Sequence, residues 1–197
     1  MSASNLDGIA ANIAQLLATA RLALDKPYPL PALTLLYTGI DVMASLEAPK
    51  GEAINVYFQR WVNDYLLKAV PLSCSSLELW GARCAILHTF TAESNYSQRG
   101  QAKEVYYAHS GAQAADLAAV NAHLNRNAIV ITIEDLMTGF YQAVLRYLID
   151  VDNDPKRKAI VEAQAGLWFG DTKAAVILEY LKQNVNSTSA AAKTQIR

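Results

Sequence analysis

Cysteine is nearly absent from this chain: there are two among 197 residues, Cys74 in the turn-like PLSCSS and Cys84 inside an apolar run, and no C-x-x-C pair. That excludes a disulfide framework and a thiolate zinc site, and it suits a reducing compartment. Glycine (9) and proline (6) are also scarce, which favours helices over a loop-rich chain. Charged residues make up 18%, below the usual quarter, and hydrophobic ones 52%, so a disordered polymer is excluded. A net charge of −1 supplies no global field to draw the protein to nucleic acid, so any such contact must be local.

Long hydrophobic runs are missing too. The stretch MSASNLDGIAANIAQLLATARLALDK has no basic region followed by an apolar one, and PYPLPALTLLYTGI is too short and too proline-punctuated to span a bilayer. The expectation is a soluble, cytoplasmic protein with no membrane partner. There is no H-E-x-x-H, G-x-S-x-G, P-loop or dinucleotide glycine fingerprint, and His109 and His123 have no ligand at metal spacing. Neither a metal site nor a cofactor is expected.

What is present is helical periodicity. Leu6, Ile9, Ile13, Leu16, Leu17 and Leu24 predict a helix over 5–24, ended by the prolines of DKPYPLP. A second is predicted from Pro31 to Leu46. A third runs from Glu52 to Val70 on the stripe Phe58, Trp61, Val62, Tyr65 and Leu66. The fourth begins at Ser75 or Ser76 and runs to about Phe90. Beyond it, SNYSQRGQ reads as a loop, EVYYAH and AIVIT as short strands around a short helix in DLAAVNAHL, and SG as a turn. Thr132 is placed to cap a helix reaching Asp150, Asp154 caps another with Pro155 at its first position, and a last helix spans Thr172 to Gln183. The pattern describes an all-α, up-and-down helical bundle with a small β-hairpin-like insertion after the fourth helix. It forms one domain over 1–184, followed by a frayed tail over 185–197.

Several polar clusters need weighing. Asp150, Asp152 and Asp154 alternate as in an EF-hand loop, but Pro155 and Val161 stand where the turn glycine and the closing glutamate belong, so the motif fails. Lys156, Arg157 and Lys158 open a helix. They either attract an anion or, as favoured here, pair with the preceding aspartates. Asp41 interrupts an apolar helix. It faces either a solvated bundle edge or inward, and in the second case Arg83 is its expected partner.

The chemistry concentrates in ELWGARCAILHTFTAES. On an ideal helix Arg83 and His88 would point about 140° apart, so they converge only if the helix ends near His88 or the long arginine reaches round. HTFTAES, rich in hydroxyl side chains, is a place for such an ending. Together, histidine can move a proton and arginine can hold a phosphate, which suits attack of an RNA 2′-hydroxyl on the adjacent phosphorus. Ser94, Arg99 and Lys103 are placed to hold flanking phosphates. A structural reading of the same residues is a core-edge helix with a hydrogen-bonded histidine.

RCAILH resembles the R-x4-6-H motif of the HEPN superfamily, whose members are compact all-α bundles, many of them metal-independent ribonucleases of toxin–antitoxin and other defence systems. The resemblance implies Arg83 as the phosphate-stabilising group, His88 as the proton-transfer group, RNA as substrate, an antitoxin or other protein partner, and a homodimer with the fourth helix at its interface. Active members commonly carry asparagine, aspartate or histidine after the arginine, where this chain has Cys84. Two functions are therefore carried forward: an endoribonuclease using Arg83 and His88 with support from Asp41 and Cys84, and a catalytically inactive HEPN-like binding or interaction protein.

Overall fold

The computed structural model describes residues 5–26 and 28–168. The helix expected over Thr172 to Gln183 and the tail over 185–197 lie outside them. The elements run α1 (Asn5–Asp25), α2 (Pro29–Ser45), α3 (Ile54–Trp61), a π-helical turn (Val62–Leu66), α4 (Leu67–Ala69), α5 (Ser76–His88), α6 (Asn95–Gln98), β1 (Glu104–Ala108), α7 (Gly111–His123), β2 (Ala128–Thr132), α8 (Ile133–Asp152) and α9 (Pro155–Trp168). The protein is mostly helical with a small parallel sheet. Among the described residues no helix is long and apolar enough to cross a membrane.

The central element is α2, which packs against α1, α3, α5 and α8. Its residues Leu33, Leu36, Tyr37, Ile40 and Met43 are buried, as expected for a helix surrounded by partners on most sides. Pro29 and Pro31 lie in its first turn, where the missing N–H groups have no intrahelical role. The facing helix α8 buries Leu136, Phe140, Ala143, Val144, Tyr147 and Val151 at three- and four-residue intervals. It starts where the Thr132 hydroxyl accepts the Asp135 N–H at 3.0 Å. Asp154 likewise caps α9, its Oδ1 accepting the Lys156 and Arg157 N–H groups at 3.0 and 3.2 Å.

Two sequence expectations change. The single helix foreseen from Glu52 to Val70 is interrupted by the π turn, in which the Leu67 N–H donates to the carbonyl of Val62. The stripe survives the interruption: Phe58, Trp61, Val62 and Leu66 are all buried, with Trp61 against Phe140 (6.1 Å between ring centroids) and Tyr147 (6.3 Å). The second change is the sheet. The strands do not form a hairpin; β1 and β2 pair in parallel, Glu104 opposite Ala128 through Ala108 opposite Thr132. A parallel pair cannot be closed by a tight turn, so the chain must cross over, and α7 is the crossover. Ser110, expected in a turn, accepts the Gln113 N–H and caps that helix. The sheet is tied to the bundle by a hydroxyl–hydroxyl bond of 2.5 Å between Tyr37 on α2 and Tyr107 on β1.

Two glycines separate packing from helix propensity. A Cβ on Gly39 would lie 2.7 Å from the fully buried Phe140 ring, whereas a Cβ on Gly8 in α1 would meet nothing within 4 Å. Gly39→Ala should lower stability by about 1–2 kcal/mol, overpacking outweighing the propensity gain. Gly8→Ala should raise it by about 0.5–1 kcal/mol. Urea unfolding midpoints of both variants check the pair, and a stabilised Gly39→Ala would contradict the packing.

Candidate active site

Helix α5 begins with a capping box: the Ser75 hydroxyl accepts the Glu78 N–H, and the Glu78 carboxylate accepts the Ser75 N–H at 2.7 Å. It buries Leu79, Trp80, Ala82, Ala85 and Ile86, which leaves Arg83 at the margin of the buried face. The arginine reaches back across α2. Its Nε donates to both oxygens of Asp41 (3.2 and 2.9 Å) and its Nη2 to Oδ2 at 2.6 Å. The guanidinium also lies over the Trp80 ring, 5.1 Å from its centroid. Asp41 therefore faces inward, and Arg83 is its partner.

With the side chains of Arg83 and Asp41 only 14% and 21% exposed, little water screens the pair. Burial pushes the Asp41 carboxyl above the usual carboxylate range, against the hydrogen bonds and charge of Arg83 that pull it down. The half-buried Cys84 thiol is raised by burial, against the pull of the Arg83 charge, so it stays protonated at neutral pH. Burial raises the Tyr57 phenol on α3, with smaller opposing effects from the charges of Asp41 and Arg83.

The fork to Asp41 leaves Arg83 Nη1 free to point outward, where it lies 3.2 Å from His88 Nε2. The expected divergence of the two side chains is overcome in both of the ways foreseen. Helix α5 ends at His88, and the arginine reaches round. Thr89 closes the helix, its hydroxyl donating to the Ala85 carbonyl at 2.8 Å. Because arginine has no acceptor, it must be the donor to Nε2, which places the proton of a neutral His88 on Nδ1. His88 is exposed, and each terminal nitrogen of Arg83 keeps an N–H for a further acceptor.

The remaining expected residues are not drawn into this group. Ser94 is buried and its hydroxyl caps α6 by accepting the Ser97 N–H at 3.2 Å, so it is not presented as a phosphate ligand. Its Oγ would lie 3.0 Å from a Cβ at Gly81, which shows how closely this turn packs on α5. Arg99 and Lys103 are exposed, and no hydrogen bond joins them to Arg83 or His88. Among the described residues no three His, Cys, Asp or Glu side chains stand together to hold a metal.

Sequence reasoning missed a second concave feature. A cavity of about 480 Å³ opens between α2, the π turn, α8 and α9, walled by Glu47, Tyr57, Trp61, Tyr65, Tyr147 and Arg157 among others. Arg157 donates to both Glu47 oxygens (2.8 and 2.7 Å) and to the Tyr65 hydroxyl at 2.9 Å. Of the three cations opening α9, only Lys158 pairs with a preceding aspartate, Asp152 at 2.7 Å, while Arg157 turns inward. Tyr57 also lines this cavity.

The fold and site thus define a mostly helical protein carrying an anchored Arg–His pair at a helix end. Compared with known proteins, the chain matches no family model, no curated protein and no solved structure.

Removing Arg83 leaves a shielded carboxylate without its cation, so Arg83→Met should destabilise the fold near neutral pH by about 1–3 kcal/mol, less than for a fully buried pair. The loss of Arg83 raises the Asp41 carboxyl further above its unfolded value. A raised folded-state value means stability is lost as pH rises through it, and the penalty is absent once the carboxyl is protonated in both states. The stability gap between wild type and variant should therefore narrow as pH falls from about 7 toward about 4. Denaturant titrations across that range check it, and a gap that widens on acidification would contradict the shielded pair.

Proposed function

We propose that this protein is a metal-independent endoribonuclease of the HEPN kind, with Arg83 and His88 as its reacting pair. The observation that carries the reading is the 3.2 Å approach of the Arg83 Nη1 to the exposed His88 Nε2, with the guanidinium anchored from behind by Asp41. The mostly helical fold is compatible with the bundles of the superfamily that RCAILH resembles.

In this mechanism a phosphate oxygen of the RNA strand takes the free N–H positions of Arg83, displacing the contact to His88. The imidazole then accepts the proton of the 2′-hydroxyl. A bond forms between O2′ and phosphorus, the bond from phosphorus to O5′ breaks, and the leaving 5′-oxygen takes up a proton. The products are a 2′,3′-cyclic phosphate and a 5′-hydroxyl. Arg83 stabilises the charge that develops on the non-bridging oxygens, and it is effective because Asp41 and Trp80 hold it still before substrate arrives. Asp41 acts through Arg83 as a positioning residue. A second copy meeting this one at α5, a cytoplasmic location, and a cognate antitoxin belong to the same proposal.

A second reading, an inactive binding protein, is favoured by the cavity lined by both charged and aromatic side chains, Glu47, Arg157, Trp61 and Tyr65 among them, which offers a ligand site without using His88. The two readings separate on one assay. Purified protein in chelator should cleave single-stranded RNA to cyclic-phosphate ends, and His88→Ala should cut at least about 100-fold more slowly. Intact RNA with wild type, or equal cutting by the variant, would leave the binding reading.

A further inference from the structure

Four of the described residues have positive φ, and at three of them the chain supplies a residue suited to it: Gly51, Gly100 and Asn125. The fourth is Phe90, at φ 55°, two residues after His88. A bulky aromatic in the left-handed region is a conformational outlier, since its Cβ crowds the following carbonyl. The position is the one after the helix cap, where glycine usually stands. Core packing does not compensate, because Phe90 is 65% exposed. Neither backbone preference nor burial accounts for phenylalanine here.

The turn that carries it is firmly tied. The Thr89 hydroxyl donates to the Ala85 carbonyl at 2.8 Å and the Thr91 hydroxyl to the Glu93 carbonyl at 3.0 Å, the two hydroxyl oxygens lying 2.8 Å apart. Phe90 thus lies between two threonines, two residues beyond His88 in the chain and open to solvent. An exposed aromatic close in the chain to a cation with a nitrogen to spare suits single-stranded nucleic acid, where a ring stacks on a base while a cation takes the backbone. A strained residue held in place at a reactive site is also where strain is expected to have a use.

We propose that Phe90 is the stacking platform for an unpaired RNA base next to the phosphate held by Arg83, a substrate-binding residue for the proposed cleavage. The inference rests on the ribonuclease reading for its ligand but is tested apart from cleavage. Relieving the strain and removing the ring are the same change, Phe90→Gly, and they should move two readouts in opposite directions. The unfolding midpoint should rise by about 2–4 °C. Affinity for a short single-stranded 2′-O-methyl oligoribonucleotide, which has no attacking hydroxyl and is not cut, should fall roughly 5- to 100-fold by fluorescence anisotropy. Phe90→Trp should restore binding, because a second aromatic ring replaces the first.

Unchanged affinity in Phe90→Gly overturns the platform, as does a wild type that does not bind the modified strand. A loss of binding accompanied by a change in oligomeric state on gel filtration also overturns it, since the ring would then belong to a protein interface. Cleavage of unmodified RNA is read separately. Binding through Phe90 without cleavage removes the ribonuclease reading and leaves the platform; cleavage with full binding by Phe90→Gly removes the platform alone.

Discussion

Asp41 lies on the helix that the rest of the protein packs around, and its carboxylate can stand there only with a cation beside it. That requirement links α2 to α5 through two nitrogens of one guanidinium, with Trp80 underneath. A lysine would neutralise the charge but would not occupy both carboxylate oxygens while keeping a third nitrogen directed outward. The planar fork therefore does two things: it satisfies the shielded carboxylate and fixes the direction of Nη1. His88, the last residue of α5, meets that nitrogen at 3.2 Å.

The stop is itself a local matter of hydroxyl groups. Thr89 bonds back into the last turn, and Thr91 ties the chain beyond it. The same short turn holds Phe90 in a conformation that its side chain disfavours and that burial does not repay. The arginine, the histidine and the exposed ring thus follow one another along 83–90, with the arginine held from α2 by Asp41. Elsewhere the π turn and the Glu47–Arg157–Tyr65 bonds shape a separate cavity.

Much of this was legible in the residues. The apolar stripes located the long helices, and Ser75, Thr132 and Asp154 each cap a helix with the short polar side chains suited to that position, while Ser110, which reads as a turn residue, caps one as well. For Asp41 the residues left a solvated edge and an inward position open, and pointed to Arg83 only in the second case, because a lone shielded carboxylate is costly. What was not legible depended on contacts remote in sequence. Strand direction is set by whether the link is a turn or a crossover, and the helix over Gly111–His123 has too few buried residues to announce its length. The inward turn of Arg157 depends on Glu47, 110 residues earlier, and the π turn leaves the apolar spacing of its helix unchanged. Ser94 was chosen for its hydroxyl, which the next turn of chain uses as a cap. Trp80 carried a signal that went unused: three residues before Arg83, it is on the same helix face.

The central claim is that a guanidinium fixed by Asp41 donates to His88 Nε2, and ring-nitrogen NMR addresses it most directly. The chain has three histidines, so the resonances can be assigned by single substitutions. Neutral imidazole in water favours the proton on Nε2. The account predicts that neutral His88 carries its proton on Nδ1 in the wild type, with Nε2 showing the shift of a hydrogen-bonded acceptor, and that Asp41→Asn abolishes this signature by loosening the anchor. A His88 that holds its proton on Nε2 in the wild type, or that is unaffected by Asp41→Asn, would contradict it.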